Sequence, residues 1–317
     1  MDDARLNAII DAVVKELIAA QAVAPARPAE PVAASSPAPA PQPAAAIPPG
    51  GITIDLPDPA LPEHRYQPRV QRAKNPDALP ALIAATTARI GVGRAGPRYR
   101  TASLLLFQAD HAITQDALYR DVDQKLLDDL GLFTVQTNIK GGTSPSGGKQ
   151  EYLLRPDLGR QISDDGKKTI LEKCVPSPNI QLVVGDGLSA AAVEANVREM
   201  FPVILNGAKS AGLTVGTPFF IEYCRVGVLN DIGDLLKPDV VILLIGERPG
   251  LGRAESLSAY MAYHPKAGDT DADRDVVCNI FNNGGTNPLE GAAFTIQLAQ
   301  KMIKHQASGV KLKLATK

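Results

Sequence analysis

The stretch VVILLIGERPGL, Val240 to Leu251, decides the fold of this chain. It begins as a run of valine, isoleucine and leucine and breaks at Gly246, Glu247 and Arg248. A continuous apolar run of this length is typical of a strand buried on both faces of a parallel sheet. Because open α/β sheets bind ligands beyond the carboxyl ends of such strands, we expect Glu247 and Arg248 to lie where a ligand would bind. The alternative is an ordinary strand exit with two solvated charges.

Further apolar runs alternate with helical patterns across residues 178–317. Alternating strands and helices predict an α/β domain with a Rossmann-like, mostly parallel sheet. The predicted strands are IQLVVGD, PFFIEYCRV, VVILLIGE and SLSAYMAY, and the predicted helices cover residues 190–211, 231–236 and 288–306. Under the right-handed crossover rule, three strand ends should converge on one rim of the sheet. These ends are Asp186–Ser189, Arg225-Val226 and Glu247-Arg248.

Two segments precede the predicted folded part. Residues 1–20 carry one apolar helical stripe, formed by Leu6, Ile9, Ile10, Val13, Val14, Leu17 and Ile18. Residues 21–74 form a linker and extended segment that is rich in alanine and proline up to Gly50, and such a segment is expected to be a disordered tether. A short amphipathic helix needs a partner for its apolar face, so we interpret residues 1–20 as a docking helix. The alternative is a helix that folds back on its own domain.

Residues 75–177 are predicted to form a helical subdomain. Residues 91–96 match the dinucleotide pattern GxGxxG, but a predicted helix precedes them and Asp110 stands too early to be the ribose-binding acid. We therefore reject a dinucleotide site. The stretch GGTSPSGG, residues 141–148, is predicted to be a flexible loop, and Thr143 stands where a phosphate loop requires its first glycine.

Four arginines of this region form a basic cluster: Arg89, Arg94, Arg98 and Arg100. One interpretation is a solvated surface patch. The other is a site for an anionic partner, either a phosphate or the carboxylates of another subunit. The sequence leaves both open.

Composition excludes several classes of protein. The formal net charge is -1 and tryptophan is absent, which argues against a nucleic-acid groove. The three cysteines are widely spaced, as in reduced proteins, and the histidines show no metal-ligand spacing. No apolar run approaches the ~20 residues that span a bilayer. We expect no nucleic-acid partner, no membrane partner and no protein-bound metal.

A catalytic arrangement of side chains is not recognisable. The stretch Gly187-Leu188-Ser189-Ala190-Ala191 lacks the Gly-x-Ser-x-Gly pattern of a nucleophile elbow. Glu247 could act as a general base, but the sequence places no histidine or second acid beside it. We assign no catalytic residue to this chain.

Six short segments of the sequence are similar to segments of the small subunit, or light chain, of ethanolamine ammonia-lyase, an adenosylcobalamin-dependent enzyme. In the family's order they are GRAGPRYRT (93–101), YLLRPDLGR (152–160), VGDGLSA (184–190), AGLTVGTPFFIEYCRV (211–226), GERPGLGRAESLSAY (246–260) and NNGGTNPLEGAA (282–293). The resemblance covers roughly residues 77–310. Several such segments in the same order identify a family far more specifically than one glycine motif does.

The resemblance implies the conversion of ethanolamine to acetaldehyde and ammonia, with the active site mainly in a large catalytic subunit. The small subunit would help to hold adenosylcobalamin where the two subunits meet, and the family's contacts carry over to Val226, Glu247 and Val276. Glu247 lies in the fully matching GERPGLG. Val226 closes YCRV, where Cys224 replaces a glycine, and Val276 lies in DADRDVVCNI, where a cysteine found in some relatives stands two residues later as Cys278.

These residue types suit a corrin. A glutamate can accept hydrogen bonds from the amide side arms, and valines can pack on the apolar flanks. Arg225 and Arg248 could neutralise the phosphate of the nucleotide tail, or could pair with a helix end or a carboxylate of the protein.

Some members of the resembled family carry an amino-terminal segment that directs the enzyme into a bacterial microcompartment. By this resemblance, residues 1–20 are expected to dock on a microcompartment shell or cargo protein. The alternative function is a non-catalytic cofactor-binding scaffold without lyase activity. A nucleotide-binding dehydrogenase domain is disfavoured by the failed fingerprint.

Overall fold

A computed structural model describes Glu63 and residues 66–316 of this chain, apart from residues 87, 142–147, 252 and 283. The predicted helix at 1–20, most of the predicted linker at 21–74 and most of the predicted loop at 141–148 lie outside the described residues. The described part is an α/β structure, as the sequence predicted. Its helices are α1 (Ala78–Ala84), α2 (Thr101–Tyr119), α3 (Gln124–Asp129), α4 (Lys149–Leu154), α5 (Asp164–Lys173), α6 (Ala190–Ser210), α7 (Val228–Leu236), α8 (Pro288–His305) and α9 (Gly309–Ala315).

Six of the strands form one central sheet, in the order β3-β5-β4-β6-β7-β8, and the other two form a short hairpin. The strands are β1 (Arg94–Ala95), β2 (Arg98–Tyr99), β3 (Phe133–Gln136), β4 (Ile180–Gly185), β5 (Phe219–Glu222), β6 (Val240–Gly246), β7 (Leu257–Tyr263) and β8 (Asp275–Ile280). Strands β3 to β6 pair in parallel, whereas β7 pairs antiparallel with both β6 and β8. The Rossmann-like part therefore carries an antiparallel extension.

The direction of β7 follows from its connection. A parallel pairing requires a crossover of about a dozen residues or more, usually a helix. The described residues between Gly246 and Leu257 form no helix, and the chain turns back and pairs beside β6 in the opposite direction. At the other edge, β3 comes from the region that the sequence assigned to a helical subdomain.

Helices cover both faces of the central strands. Every residue of β4 and β6 is buried, which confirms VVILLIG as a strand enclosed on both sides. On one face α6 and α8 pack against the sheet, and on the other face α5 and α7 do so. The apolar run is continuous because neither face meets water.

Part of the basic cluster is an internal ion pair. The Arg89 side chain is only 8% exposed, and its Nε and Nη2 donate to the two carboxylate oxygens of Asp110 over 2.7 and 2.8 Å. Asp110 lies inside α2, and this pair gives it a structural role. Arg94, Arg98 and Arg100 are exposed.

The gap between the ends of β4 and β6 is filled by backbone. Gly187 has a φ of +59°, and a Cβ placed on it would lie 2.2 Å from the carbonyl oxygen of Gly246. The N–H of Leu188 donates to that same oxygen over 2.9 Å. Asp186 and Ser189 are buried. The three predicted strand ends do meet at one rim, but Asp186 and Ser189 are not open to a ligand, since the crevice expected at this switch in strand order is closed by the chain itself.

Replacing Gly187 by alanine should destabilise the protein by about 2–4 kcal/mol, because the new Cβ needs both a left-handed backbone and space that Gly246 occupies. Urea unfolding of the full chain measures this loss. Gly212→Ala is the matched control, since Gly212 has a φ of +73° with no atom within 4 Å of the added Cβ. It should cost about 1–2 kcal/mol. Equal losses at the two glycines would contradict the close approach at Gly187.

Candidate functional site

A network around the Asp186 carboxylate joins the end of β4 to the end of β5. Oδ1 of Asp186 accepts hydrogen bonds from the backbone N–H groups of Gly187 and Cys224, each over 2.8 Å. Oδ2 accepts from the N–H of Tyr223 over 3.0 Å and from the ammonium of Lys149. The carboxylate thus fixes the backbone that follows β5.

Lys149 is the buried counter-ion of this network. Its side chain is 7% exposed, and its ammonium lies 5.7 Å from the ring centre of Tyr152 and 5.3 Å from that of Tyr223. A buried charge is costly unless it is paired and hydrogen-bonded, so Lys149 and Asp186 depend on each other. Burial, reinforced by the charge of Asp186, raises the pKa of Tyr152, whose hydroxyl donates to the Cys224 carbonyl over 2.8 Å.

Arg225 fixes the next residue of the same connection. Its backbone N–H donates to the Gly159 carbonyl over 2.8 Å, and its Nη2 donates to the Tyr152 carbonyl over 3.1 Å. The guanidinium also lies 4.1 Å from the centre of the Tyr152 ring. Val226 follows directly, so its position is set by the contacts of Asp186 and Arg225.

Val226 and Val276 line the same cavity, which has a volume of about 790 Å³. The cavity lies between the beginning of α7, the middle of β7 and the beginning of β8. Val276 is 45% exposed and pairs in register with Tyr260 of β7. β8 is the last strand of the sheet among the described residues, and the exposure of Val276 leaves this part of the cavity wall accessible to a ligand.

Glu247 lines a neighbouring cavity of about 390 Å³, together with Cys278. It is the first residue after β6, and its carboxylate accepts a hydrogen bond over 3.1 Å from the hydroxyl of Tyr260, which lines the larger cavity. The structure thus places two of the three predicted site residues together and joins the third to them through Tyr260.

Sequence reasoning did not single out Tyr260. The alternation of SLSAYMAY predicted the strand, but not the contact that its hydroxyl makes. Burial, followed by the charge of Glu247, raises the pKa of Tyr260 to about 12. Tyr260 therefore keeps its proton at neutral pH and remains the donor that orients Glu247.

Two arginines in the wall of the larger cavity, Arg225 and Arg274, are largely buried. The Nε atoms of Arg225 and Arg274 are buried and have no hydrogen-bond partner among the described residues. Arg274 otherwise donates to Asp271 over 2.7 Å and to the side-chain oxygen of Asn230 over 3.0 Å. Arg274 was missed by the sequence reasoning because its polar loop, residues 267–275, shows no periodic pattern. Arg248 is exposed and lines the smaller cavity beside Glu247 instead of this one.

The residues of the two cavities fit a corrin cofactor. They combine apolar valines, one carboxylate acceptor and two buried cations with spare donor capacity, which match the flanks, amide arms and phosphate of cobalamin. Among the described residues, no group of three or more histidine, cysteine, aspartate or glutamate side chains is arranged to hold a metal ion. No helix in the described part of the chain is long and apolar enough to cross a membrane.

Asp186→Asn should lower the free energy of unfolding by about 3–5 kcal/mol, because it leaves the buried Lys149 ammonium with only the exposed carboxylate of Asp121, 4.0 Å away, as a counter-charge. Urea unfolding of the full chain measures the loss. Asp165→Asn is the control, since Asp165 and its partner Lys168 are 94% and 72% exposed. That change should stay within about 0.5 kcal/mol of wild type. Similar small effects at both positions would show that the Asp186 network is not structurally important.

The sequence model of the ethanolamine ammonia-lyase light chain (EutC) matches residues 76–313. The matched region begins just before α1 and ends within α9, so it includes the Asp186 network, both cavities and all three predicted site residues. It covers most of the 317 residues of the chain. A light chain is one subunit of a larger enzyme and implies a heavy chain as its partner. This protein belongs to the ethanolamine ammonia-lyase light chain family.

Proposed function

We propose that this chain helps to bind adenosylcobalamin at the interface with the heavy chain of ethanolamine ammonia-lyase. The heavy chain would carry the catalytic residues for the conversion of ethanolamine to acetaldehyde and ammonia. The observation that supports this most is the arrangement of Val226, Val276 and Glu247. Residues separated by up to 50 positions in the sequence line two neighbouring cavities that share the Tyr260–Glu247 hydrogen bond.

Each of these residues has a distinct role in the proposal. Val226 and Val276 pack against apolar flanks of the corrin or its base, and Glu247 accepts hydrogen bonds from amide side arms. Tyr260 keeps Glu247 oriented, because its hydroxyl donates a hydrogen bond to the carboxylate over 3.1 Å. When bound, adenosylcobalamin supplies the radical chemistry, and the protein supplies binding and orientation.

The geometry favours a cofactor shared between two chains. The larger cavity is walled by the edge strand β8, where Val276 is 45% exposed. A cofactor bound there would keep one flank uncovered by this chain.

Val276→Asp should weaken cobalamin binding by about tenfold or more in the complex co-expressed with the heavy chain, because a carboxylate would face an apolar flank of the ligand. Absorbance titration with cobalamin gives the Kd. Val310→Asp is the control, since Val310 is a similarly exposed valine (52%) in α9 that lines neither cavity. An unchanged Kd for Val276→Asp would contradict the assignment of this cavity to the cofactor. Tight cobalamin binding without ammonia release would favour the scaffold function instead.

We also propose that residues 1–20 direct the complex into a bacterial microcompartment through the tether at 21–74. The support is the apolar stripe of residues 1–20 followed by a segment dominated by alanine and proline. Helix and tether would act as an address rather than as part of the catalytic complex.

Deletion of residues 1–50 should leave ammonia release by the purified complex unchanged and abolish its co-fractionation with microcompartment shells. Replacement of Leu6, Ile10 and Val13 by glutamine should have the same effect on fractionation, because it removes the apolar stripe and keeps the length of the chain. Loss of activity in a correctly assembled truncated complex would contradict this assignment.

A further inference from the structure

Two arginines in the wall of the larger cavity, Arg160 and Arg225, have no carboxylate partner in the part of the chain that the structure describes. Arg160 ends a short 3-10 turn, Leu158–Arg160, and is exposed. Arg225 is largely buried, and its guanidinium donates only to the Tyr152 carbonyl among the described residues, over 3.1 Å. Because a largely buried cation normally has an anionic partner, these two charges point to an anion that this chain does not supply.

The two arginines are neighbours because the turn packs closely against the chain that follows β5. The N–H of Arg225 donates to the Gly159 carbonyl over 2.8 Å. A Cβ placed on Gly159 would lie 2.8 Å from Cγ of Arg225, and a Cβ placed on Gly227 would lie 2.7 Å from Cβ of Arg160. Glycine at both positions allows this approach. Like charges held together in this way repel each other unless an anion binds beside them.

A third arginine, Arg274, adds positive charge to the same wall. Its side chain is 7% exposed, and its Nη1 donates to Asp271 over 2.7 Å, whereas its Nε has no partner among the described residues. The Asp271 side chain is 94% exposed. A carboxylate so fully surrounded by water is strongly screened, so it compensates the charge of Arg274 only in part.

Four aspartates line the same cavity, and each already accepts from the protein. Three accept from backbone N–H groups and the fourth pairs with Arg274: Asp231, Asp269 and Asp275 in the first case, and Asp271 in the second. These carboxylates are satisfied where they stand, and within the described residues none of them forms an ion pair with Arg160 or Arg225. The unmatched groups in the wall are therefore the two arginines.

We propose that Arg160 and Arg225 form a phosphate-binding subsite in the wall of the larger cavity, with Arg274 adding positive charge. A guanidinium presents parallel N–H donors that match two oxygens of a phosphate, so a pair of neighbouring guanidinium groups suits this anion. Of the two arginines that the sequence suggested for a phosphate, the structure retains Arg225. Arg248 lines the smaller cavity instead.

The phosphate belongs either to the nucleotide tail of cobalamin or to a free phosphate that binds separately. The first source rests on the proposed function. It is favoured because Val226 and Val276 line the same cavity as the arginines, so a cofactor that packs on these valines shares the cavity with the subsite. Both sources present the same phosphate oxygens to the guanidinium groups.

The test compares cobalamin with cobinamide, a corrinoid that lacks the phosphate, ribose and base of the tail, on the complex co-expressed with the heavy chain. Arg160→Gln should raise the Kd for cobalamin about tenfold, because it removes a charge-assisted contact with the phosphate, and leave the Kd for cobinamide unchanged. Absorbance titration gives both constants. The side chain of Arg160 is exposed and makes no hydrogen bond or ion pair with the described residues, so this replacement should leave the fold intact.

Arg155→Gln is the matched control. Arg155 is a 56% exposed arginine five positions earlier, its partner is Asp157, and it lines neither cavity. Its replacement should leave both corrinoid affinities at the wild-type value.

Equilibrium dialysis with labelled inorganic phosphate distinguishes the two sources. If Arg160→Gln abolishes phosphate binding and leaves the Kd for cobalamin unchanged, the subsite holds a free phosphate. Equal weakening of cobalamin and cobinamide would overturn the proposal, and so would unchanged binding of cobalamin and of phosphate. A wild-type complex that binds neither corrinoid would contradict the proposed function, and the phosphate measurement alone would then decide the subsite.

Discussion

The carboxylate of Asp186 is the interaction on which the site region depends. It stands at the end of the central strand β4 and accepts from three backbone N–H groups and from the buried ammonium of Lys149. Four charge-assisted hydrogen bonds compensate for the loss of hydration of both ions. Through Cys224 the same carboxylate determines where the chain leaves β5, and so where Val226 can lie.

This network has a consequence for where a ligand can bind. The turn at Gly187 that carries the Asp186 contacts also packs against Gly246 and closes the crevice between β4 and β6. In a simple doubly wound sheet that crevice is the usual ligand site. In this chain the two cavities lined by the predicted site residues lie instead over the antiparallel extension, where β7 and β8 carry Tyr260, Val276 and Cys278. An edge of this kind suits a ligand shared with a second subunit.

Sequence reasoning was most reliable where one segment decides its own structure. The runs at β4, β5, β6 and β7 were predicted as strands and are strands, because continuous or alternating apolar residues require burial on defined faces. Helices α6, α7 and α8 begin and end within three residues of their predicted bounds. The short strands β3 and β8 were not predicted. Their residues are mostly partly or fully exposed, so FTVQ and DVVCNI carry a weak hydrophobic signal.

The sequence by itself determined the α/β class, the buried strand that leads to Glu247 and the family to which the chain belongs. Each of these follows from a local sequence pattern or from several segments in a fixed order. Only the tertiary structure decided which strands run antiparallel, that the β4–β6 crevice is closed, and that Arg89 and Lys149 are buried ion-pair partners rather than surface charges. The physical reason is distance along the chain. The partners in these pairs are 21 and 37 residues apart, and no local periodicity specifies which distant carboxylate a buried cation will meet.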